Sequence, residues 1–600
     1  MDNISRPYER RVERFKNLLK KQEKTEKEIS IIRLLLFIIE LNIGIYFYLQ
    51  GKKLLLYISL IVFLGTFTFL VISHRRLRNR IKYSKLFIEI NNDSLKRING
   101  EWYDFTDDGE DFKDHNHNYS EDLDIFGKRS LFQWINTAKT FIGKQKLREL
   151  FSGVVGNLED IKERQNAVEE LSNKLNWRQE FLAEALIESK NIHDPQELIS
   201  WAIEKNQYFN SPFRIGLIRI MPILTLILMA QGYVLSIIPT YWPTFALVIQ
   251  FIFLLTKAME RNNLIDLAER YSDDLRAYYN MLKLIEDHRF KSILLQKIQR
   301  EIRNEEGELA YKQIDELTSI VNAISNRRNS LYSIFNIITL WDFQTIIALE
   351  KWKKSSGKNL KTWLEAIGKF EALSSLAVIR YDNQNWTMPD INEEESIFEA
   401  EDLGHPLLIN RVSNDLTINK DHRVVLITGS NMSGKSTLLR TAGVNLVLAY
   451  AGAPVCSSYF KTSIMDIMTC MRVEDNLSES ISSFYAELLR IKSIIEEAKS
   501  GTRVFYLLDE IFRGTNSIDR HTGAKVLVNK LSDTNSIGMV STHDLELCDL
   551  ESENSRIVNF HFREFYEDNE IHFDYKLRSG VSTTRNAIYL MKLAGIEINQ

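Results

Sequence analysis

The chain has 600 residues, 44% hydrophobic and 26% charged, so it is a folded protein too long for a single core, with room for about three to five domains. A formal net charge of −4 excludes a uniformly basic nucleic-acid binder and confines any DNA contact to a local patch. Three scattered cysteines, Cys456, Cys470 and Cys548, exclude a disulfide framework and lack metal-ligand spacing, and only nine prolines favour long helices.

Residues 1–30, opening "MDNISRPYERRVERFKNLLKKQ", read as a charged N-terminal helix rather than a cleavable signal. Residues 31–82 read as a transmembrane hairpin with a basic flank. Its runs "IIRLLLFIIELNIGIYFYLQ" (31–50) and "LLLYISLIVFLGTFTFLVIS" (54–73) are parted only by Gly51, Lys52 and Lys53. Each is long enough to cross a hydrocarbon core of roughly 30 Å. Residues 83–125 read as a polar linker, and "DFTDDGEDFKDHNHNYSEDLD" (104–124) as its exposed part. Asp114, His115 and His117 lie there without a supporting helix or strand pattern, so a solvated loop is preferred over a metal site. Residues 126–210 show helical periodicity and form the first part of a helical core.

Residues 211–257 read as a second hairpin, from "IMPILTLILMAQGYVLSII" (220–238) and "WPTFALVIQFIFLLT" (242–256). Arg75, Arg76, Arg78, Arg80 and Lys82 flank the first pair, and Arg214, Arg219, Lys257 and Arg261 the second. The positive-inside rule then puts both open ends in the cytoplasm, although Lys52 and Lys53 at the first tip run against it. The competing reading is buried core helices, which Glu40, Asn42 and Gln231 favour; Glu40 is read as packing against a neighbouring helix. Residues 258–395 continue the helical core, with Leu264, Leu267 and Tyr271 on one face. The basic stretch 289–304 reads as a solvated helix face. In residues 396–600 the strand-like runs "RVVLITG", "RVFYLLDE" and "SIGMVST" alternate with helices, the pattern of a parallel α/β sheet.

Chemistry concentrates in that last third. In "TGSNMSGKST" (428–437), Gly429, Gly434, Lys435 and Ser436 fill G-x-x-x-x-G-K-[ST] between a strand and a helix. Glycines let the backbone curl around phosphates, while amides and a helix N-terminus hold the anion. Lys435 is assigned to the terminal phosphates and the Ser436 hydroxyl to Mg²⁺; Ser433 and Thr437 belong to the same grip. In "VFYLLDE" a strand ends in Asp509, assigned to the Mg²⁺ shell, and Glu510, placed to polarise the attacking water. His543 ends another strand, in "MVSTHD", as a γ-phosphate sensor.

Together these segments resemble the MutS family of DNA mismatch-repair ATPases. "TGSNMSGKST" is similar to its T-G-P-N-M-x-G-K-S-T, with Ser430 replacing proline, "LLDEIFRGTNSID" to its Walker B segment, and "STHD" to its T-H switch. "SESISSFYAEL" resembles S-x-x-S-T-F-x-x-E, aligning Ser480, Ser483, Phe484 and Glu487. "GHPLL" (404–408) resembles the start of the ATPase domain, "FEALSSLAVIRY" the last lever segment, and "YKLRSGVSTTRNAIYLMKLAGI" (575–596) the closing helical region that packs family dimers. "SLFQWINTAKTFIGKQKLRELF" with "LEDIKERQNAVEEL" resembles the helical lever domain. The resemblance implies a P-loop ATPase domain of ABC type, C-terminal to an all-α lever, that binds ATP and Mg²⁺ and pairs as a homodimer through its ATPase domains. It further implies that Lys435, Glu510 and His543 are catalytic, that Asn431 orders the phosphates, and that Ser480 and Ser483 of one subunit contact the γ-phosphate held by the other.

Two departures matter. Where the family's mismatch reader and its Phe-x-Glu wedge should lie, there is an apolar hairpin; Phe87-Ile88-Glu89 has the letters but is read as coincidence. The second hairpin falls where the family inserts its DNA clamp. The resulting expectation is a multi-pass membrane protein contacting the bilayer through 31–73 and 220–256. Its cytoplasmic ATPase domain would drive ATP-dependent binding of mismatched, damaged or branched DNA. The alternative is a membrane-bound ATP-switch scaffold acting on a protein or membrane partner without mismatch recognition. A transporter-type ATPase is disfavoured, because "SESISSF" lacks the glycines of an L-S-G-G-Q-like signature.

Overall fold

The computed structural model describes residues 2–188, 193–204, 211–256, 258–303, 307–324, 330–472, 483–512, 516–567 and 570–581. Two long helices, α1 (Asp2–Leu49) and α2 (Lys53–Asn99), form a hairpin about 70 Å long at roughly 1.5 Å per residue. The charged residues 1–30 and the apolar run after them are thus one continuous helix, with no boundary at residue 30. The hairpin's stem is polar and knit together. Ser84 donates to Gln22 (2.8 Å), Arg78 pairs with Glu26 (2.9 Å), and Phe15 stacks on Phe87 at 4.7 Å. Phe87 therefore serves helix pairing. Beyond the stem the character reverses. The most apolar 18-residue window of each helix has no buried residue, and Leu34, Ile61 and Phe69 are 60–69% exposed.

The second apolar pair forms helix Pro212–Met229, a π-helical turn Ala230–Val234, and helix Tyr241–Leu255. Among the described residues three helices are long and apolar enough to cross a membrane: α1, α2 and Pro212–Val234. Tyr241–Leu255, at 15 residues or about 22 Å, falls short of a hydrocarbon core on its own.

The stretch expected as a linker is packed. Helix α2 runs to Asn99 and stops at Gly100, whose φ of 80° suits a glycine C-cap. Trp102, Asp122, Leu123 and Ile125 are then buried. Their irregular spacing gives no periodic signal, and the intervening acids disguise it as solvated chain. His117 receives the N–H groups of Tyr119 and Ser120 and reaches the Ser152 carbonyl (2.9 Å), so it organises a turn. His115 pairs with Glu121 at 3.0 Å on the surface.

The helical core, which the sequence likens to a lever, centres on helix Leu360–Asp382, buried along most of its length and packed against helices Phe141–Ser152 and Leu158–Ser172. Its buried Glu371 accepts the N–H groups of Lys139 and Thr140 and fastens the start of helix Phe141–Ser152. At its far end Asp382 accepts a 2.7 Å hydrogen bond from Tyr8, which seats the hairpin's foot on the lever. In the basic stretch 289–304, Leu295 and Ile298 face inward while Lys291, Lys297 and Arg300 are exposed.

Ten strands complete the chain: β1 (Asp390–Asn392), β2 (Phe398–Leu403), β3 (Asn414–Ile418), β4 (Val424–Thr428), β5 (Tyr459–Ser463), β6 (Asp466–Cys470), β7 (Val504–Asp509), β8 (Ile537–Ser541), β9 (Ile557–Glu567) and β10 (Glu570–Ser579). They make two mixed sheets, ordered β1-β5-β2-β3 and β10-β9-β4-β8-β7-β6. In the larger sheet β6, β7, β8, β4 and β9 pair in parallel, and β10 joins antiparallel at the edge. β4, β7 and β8 are buried throughout, as continuous apolar runs covered on both faces should be. Residues 575–579, grouped by sequence with a closing helical region, lie in β10; residues 582–596 fall outside the described part.

Candidate nucleotide site

Parallel sheets present ligand sites at the carboxyl ends of their strands. Here register aligns Ile427 with Ser541 and Ser541 with Asp509, so β4, β8 and β7 deliver three loops to one edge. The loop after β4 is shaped by glycine. Gly429 has φ 150° and Gly434 φ 107°; a Cβ on Gly429 would lie 2.7 Å from Ser433 Oγ. Helix Lys435–Ala451 follows, and its N-terminus has no side-chain cap, which leaves first-turn amides to an anion.

Lys435 is only 4% exposed. Its ammonium curls over its own loop, donating to the carbonyls of Gly429 (2.9 Å) and Ser430 (3.0 Å). It lies 3.3 Å from His543 Nε2 and 3.9 Å from a Glu510 oxygen, and His543 and Glu510 are 2.6 Å apart. Three side chains spread over 108 positions of the sequence therefore meet. Asp509 is nearly buried and accepts a hydrogen bond from the Ser541 hydroxyl. Glu510 has φ 50°, a left-handed conformation costing a non-glycine residue about 1 kcal/mol or more, and its N–H is held by the Ser541 carbonyl at 3.0 Å. The next turn holds Phe512, also left-handed at φ 63°; its N–H is received by the buried carboxylate of Glu487 on helix Ser483–Lys499. Glu487 thus props the Walker B turn, a role its motif alignment did not reveal.

Asn431, Ser433, Gly434, Lys435, Ser436, Thr437 and Glu510 line a cleft of about 450 Å³. The residues fit a polyphosphate with its metal. Ser433 Oγ is buried without a hydrogen-bond partner among the described residues, the glycine loop leaves room where a Cβ would clash, and a hydroxyl and a carboxylate, Ser436 and Asp509, offer the hard oxygen ligands Mg²⁺ prefers. Ser480 lies outside the described residues, and Ser483 opens helix Ser483–Lys499.

His405, Phe562 and Tyr575 also line the cleft and were missed by sequence reasoning. Tyr575 comes from β10, 141 positions after Gly434 (575 less 434), and its ring would sit 3.2 Å from a Cβ there. "GHPLL" was the one available signal for His405. Burial pushes the His405 imidazole down to about 4, helped by Arg440 and opposed by Asp124, so it is neutral at pH 7. The loop bearing it, which continues through Leu408 and Arg411, touches the hairpin: a Cβ on Gly100, at the end of α2, would lie 1.9 Å from Ile409 Cδ1. A second clasp lies beside it. Asp122 receives Thr469 Oγ1 (2.6 Å) and the N–H groups of Met471 and Arg472, while Asp124 pairs with both Nη atoms of Arg472. The segment between hairpin and lever is thereby fixed to β6 and its exit loop.

Residues 425–599 match the family model described as MutS domain V. The chain carries the ATPase-bearing module of MutS proteins in its last third, at 425–599. Among curated proteins it is similar to the DNA mismatch repair protein MutS of Methanosarcina mazei, at 30% identity over 47% of this chain and 31% of that protein. Those of Persephonella marina (31% identity, 39% of this chain, 27% of that one) and Carboxydothermus hydrogenoformans (33%, 40% and 29%) are similar too. The matched part spans about a third or less of these relatives' length. The MutS module contains Lys435, Asp509, Glu510 and His543, whereas α1 and α2 precede the matched family region.

Proposed function

We propose that this chain is a membrane-anchored, MutS-type ATPase that binds ATP with Mg²⁺, hydrolyses it, and uses the closure of paired ATPase domains to grip mismatched, damaged or branched DNA. One observation carries the reading: Lys435, Glu510 and His543 converge within 4 Å at the ends of adjacent parallel strands. Lys435 would leave its loop carbonyls for the β- and γ-phosphate oxygens. Glu510 would take a proton from water as the water oxygen bonds to the γ-phosphorus and the bond to the ADP oxygen breaks. His543, hydrogen-bonded to Glu510, would orient that carboxylate and sense the γ-phosphate. Mg²⁺, held by Ser436 and Asp509, would neutralise charge on the phosphate chain.

In this reading two copies pair through their ATPase domains, and Ser480 and Ser483 complete the partner's site. The runs 31–73 and 220–256 sit in the bilayer with the ATPase on the cytoplasmic side, supported by exposed apolar windows that water would not tolerate. Replacing Glu510 with Gln tests the chemistry: ATP binding should persist while turnover falls about 10²-fold or more. Wild-type turnover in that variant would remove Glu510 from its role.

A second reading, a scaffold acting on a protein or the membrane, is favoured by one fact: the matched stretch covers only about 30% of each relative, leaving the hairpins without a counterpart in it. Binding of detergent-solubilised protein to homoduplex, mismatched and branched DNA, with and without ATP, separates the two. Salt-sensitive DNA binding supports the first reading, and its absence in every nucleotide state supports the second.

A further inference from the structure

The hairpin's polar stem meets its apolar arm at a basic collar that takes no part in the nucleotide cleft. On α2, the stretch between Lys53 and Glu89 contains no acid, yet Arg75, Arg76, Arg78, Arg80, Lys82 and Lys85 fall within it. The adjoining stem of α1 contributes Glu23, Glu26 and Glu28, and each is already engaged: Glu23 with Lys85 (3.5 Å), Glu26 with Arg78 (2.9 Å) and Glu28 with Lys24 (4.0 Å). Arg75, Arg76, Arg80 and Lys82, with Lys21 and Lys27 on α1, are exposed and have no ion-pair partner among the described residues. Inside the same level, His74 is buried between the helices, 3.3 Å from Glu26 and 3.4 Å from Arg33, which closes the stem beneath the collar.

Position decides what this surplus charge faces. From Lys53 at the tip to Arg75 is about 33 Å of helix, and the same rise separates Leu49 from Lys27 on α1. That is one hydrocarbon thickness. The exposed collar on α2, Arg75 to Lys82, rises about 10 Å, enough to span a headgroup layer. A DNA-binding patch has no reason to lie one bilayer thickness from an apolar tip on both helices.

We propose that the collar binds the phosphate groups of anionic phospholipids, so that the hairpin selects negatively charged lipid around itself. The inference rests on the membrane reading above and adds to it a lipid preference. Each basic residue at an anionic surface strengthens lipid retention by roughly five-fold.

The test is reconstitution of full-length protein into nanodiscs of mixed phosphatidylcholine and phosphatidylglycerol, followed by mild extraction and measurement of the lipid that stays bound. Phosphatidylglycerol should be enriched several-fold over its share of the disc, and enrichment should fall with salt. The variant R75Q/R76Q/R80Q/K82Q should lose that enrichment yet remain resistant to carbonate washing. Protease access to the ATPase domain checks that its orientation is unchanged. If the variant inverts, wild-type enrichment at low and high salt decides alone. Equal retention of both lipids by the wild type overturns the proposal while leaving membrane insertion intact. Release of the wild type by carbonate instead overturns membrane insertion and the collar with it. Duplex DNA that displaces the lipid, with an affinity the same variant loses, would reassign the collar to DNA.

Discussion

At the nucleotide cleft, three side chains from three loops meet within 4 Å, and the backbone around them is held in left-handed turns by buried hydrogen bonds. Along the distal arm of the α1–α2 hairpin nothing is buried, and the surface is leucine, isoleucine, valine and phenylalanine. The first region spends conformational strain to place charge. The second has no use for water at all. The difference shows where each region's specificity resides: in the cleft, in individual atoms; in the hairpin, in length, composition and the charge at its ends. Substitutions should therefore act through single contacts in one region and through transfer energy in the other.

The largest effect should come from the cleft. Replacing Lys435 with Ala removes the buried ammonium that the proposed function assigns to the phosphates and leaves Glu510 and His543 facing each other. ATP affinity, read by equilibrium binding of a fluorescent analogue, should fall about 10²–10³-fold, the loss of a buried charge-assisted contact. A change under three-fold would mean that the loop amides suffice, and the contrast with the hairpin would weaken.

Next is the hairpin. Val62 is 60% exposed in the middle of the apolar arm of α2. Replacing it with Asp should disfavour insertion by about 3 kcal/mol, while costing the solution fold little because most of the side chain is exposed. Membrane fractionation should show the variant shifting to the soluble fraction, with ATP binding unchanged. An unchanged membrane fraction with a destabilised fold would mean that the arm packs against protein, as core helices do.

A third prediction addresses the point where the regions touch. Gly100→Ala drives a Cβ onto Ile409 and forces alanine to φ 80°, so it should cost about 2 kcal/mol in thermal unfolding. Ile409→Ala in the same chain should recover the steric part and leave the backbone part. If the double variant is no better than the single, Ile409 is not the obstruction, and the cleft loop does not rest on α2.

These contacts mark how far the sequence could be read. The phosphate loop, the Asp509–Glu510 pair and His543 were legible because glycine punctuation and strand ends fix them locally. The apolar arms were legible from length alone. His405, Tyr575 and Glu487 were not, because each owes its role to a partner brought by the fold: Arg440, the Gly434 backbone and the Phe512 amide. The 104–124 segment was misread because nine acids and two histidines outweighed a few irregularly spaced buried residues, and because the hydrogen bonds that Thr469 of β6 gives to Asn118 and Asp122 leave no mark in the sequence.

The smallest effect sets the two regions against each other in pH. Burial pushes Asp382, beneath the hairpin's foot, up to about 6, against the opposing pull of Arg97, the Tyr8 hydrogen bond and Arg178. It pushes His405, at the cleft, down to about 4. Between roughly pH 4 and 6 the folded protein therefore holds a proton on Asp382 that the unfolded chain has released, so this group favours folding increasingly as pH falls from 6 to 4. For His405 the sign is reversed. The unfolded imidazole takes up its proton near 6.5 and the folded one only near 4, so stability is lost as pH falls through that window. Each contribution is on the order of 3 kcal/mol, and because the two oppose each other the net change in global stability is the smallest of those predicted. Hydrogen exchange across pH 4–7 should accordingly show protection retained or gained at Tyr8 and the end of helix Leu360–Asp382 while it is lost around 404–408. Asp382→Asn should flatten the first trend and His405→Gln the second. If both regions lose protection together, with the same midpoint, the foot and the cleft unfold as one unit, and the coupling through Ile409 and Gly100 is stronger than either titration.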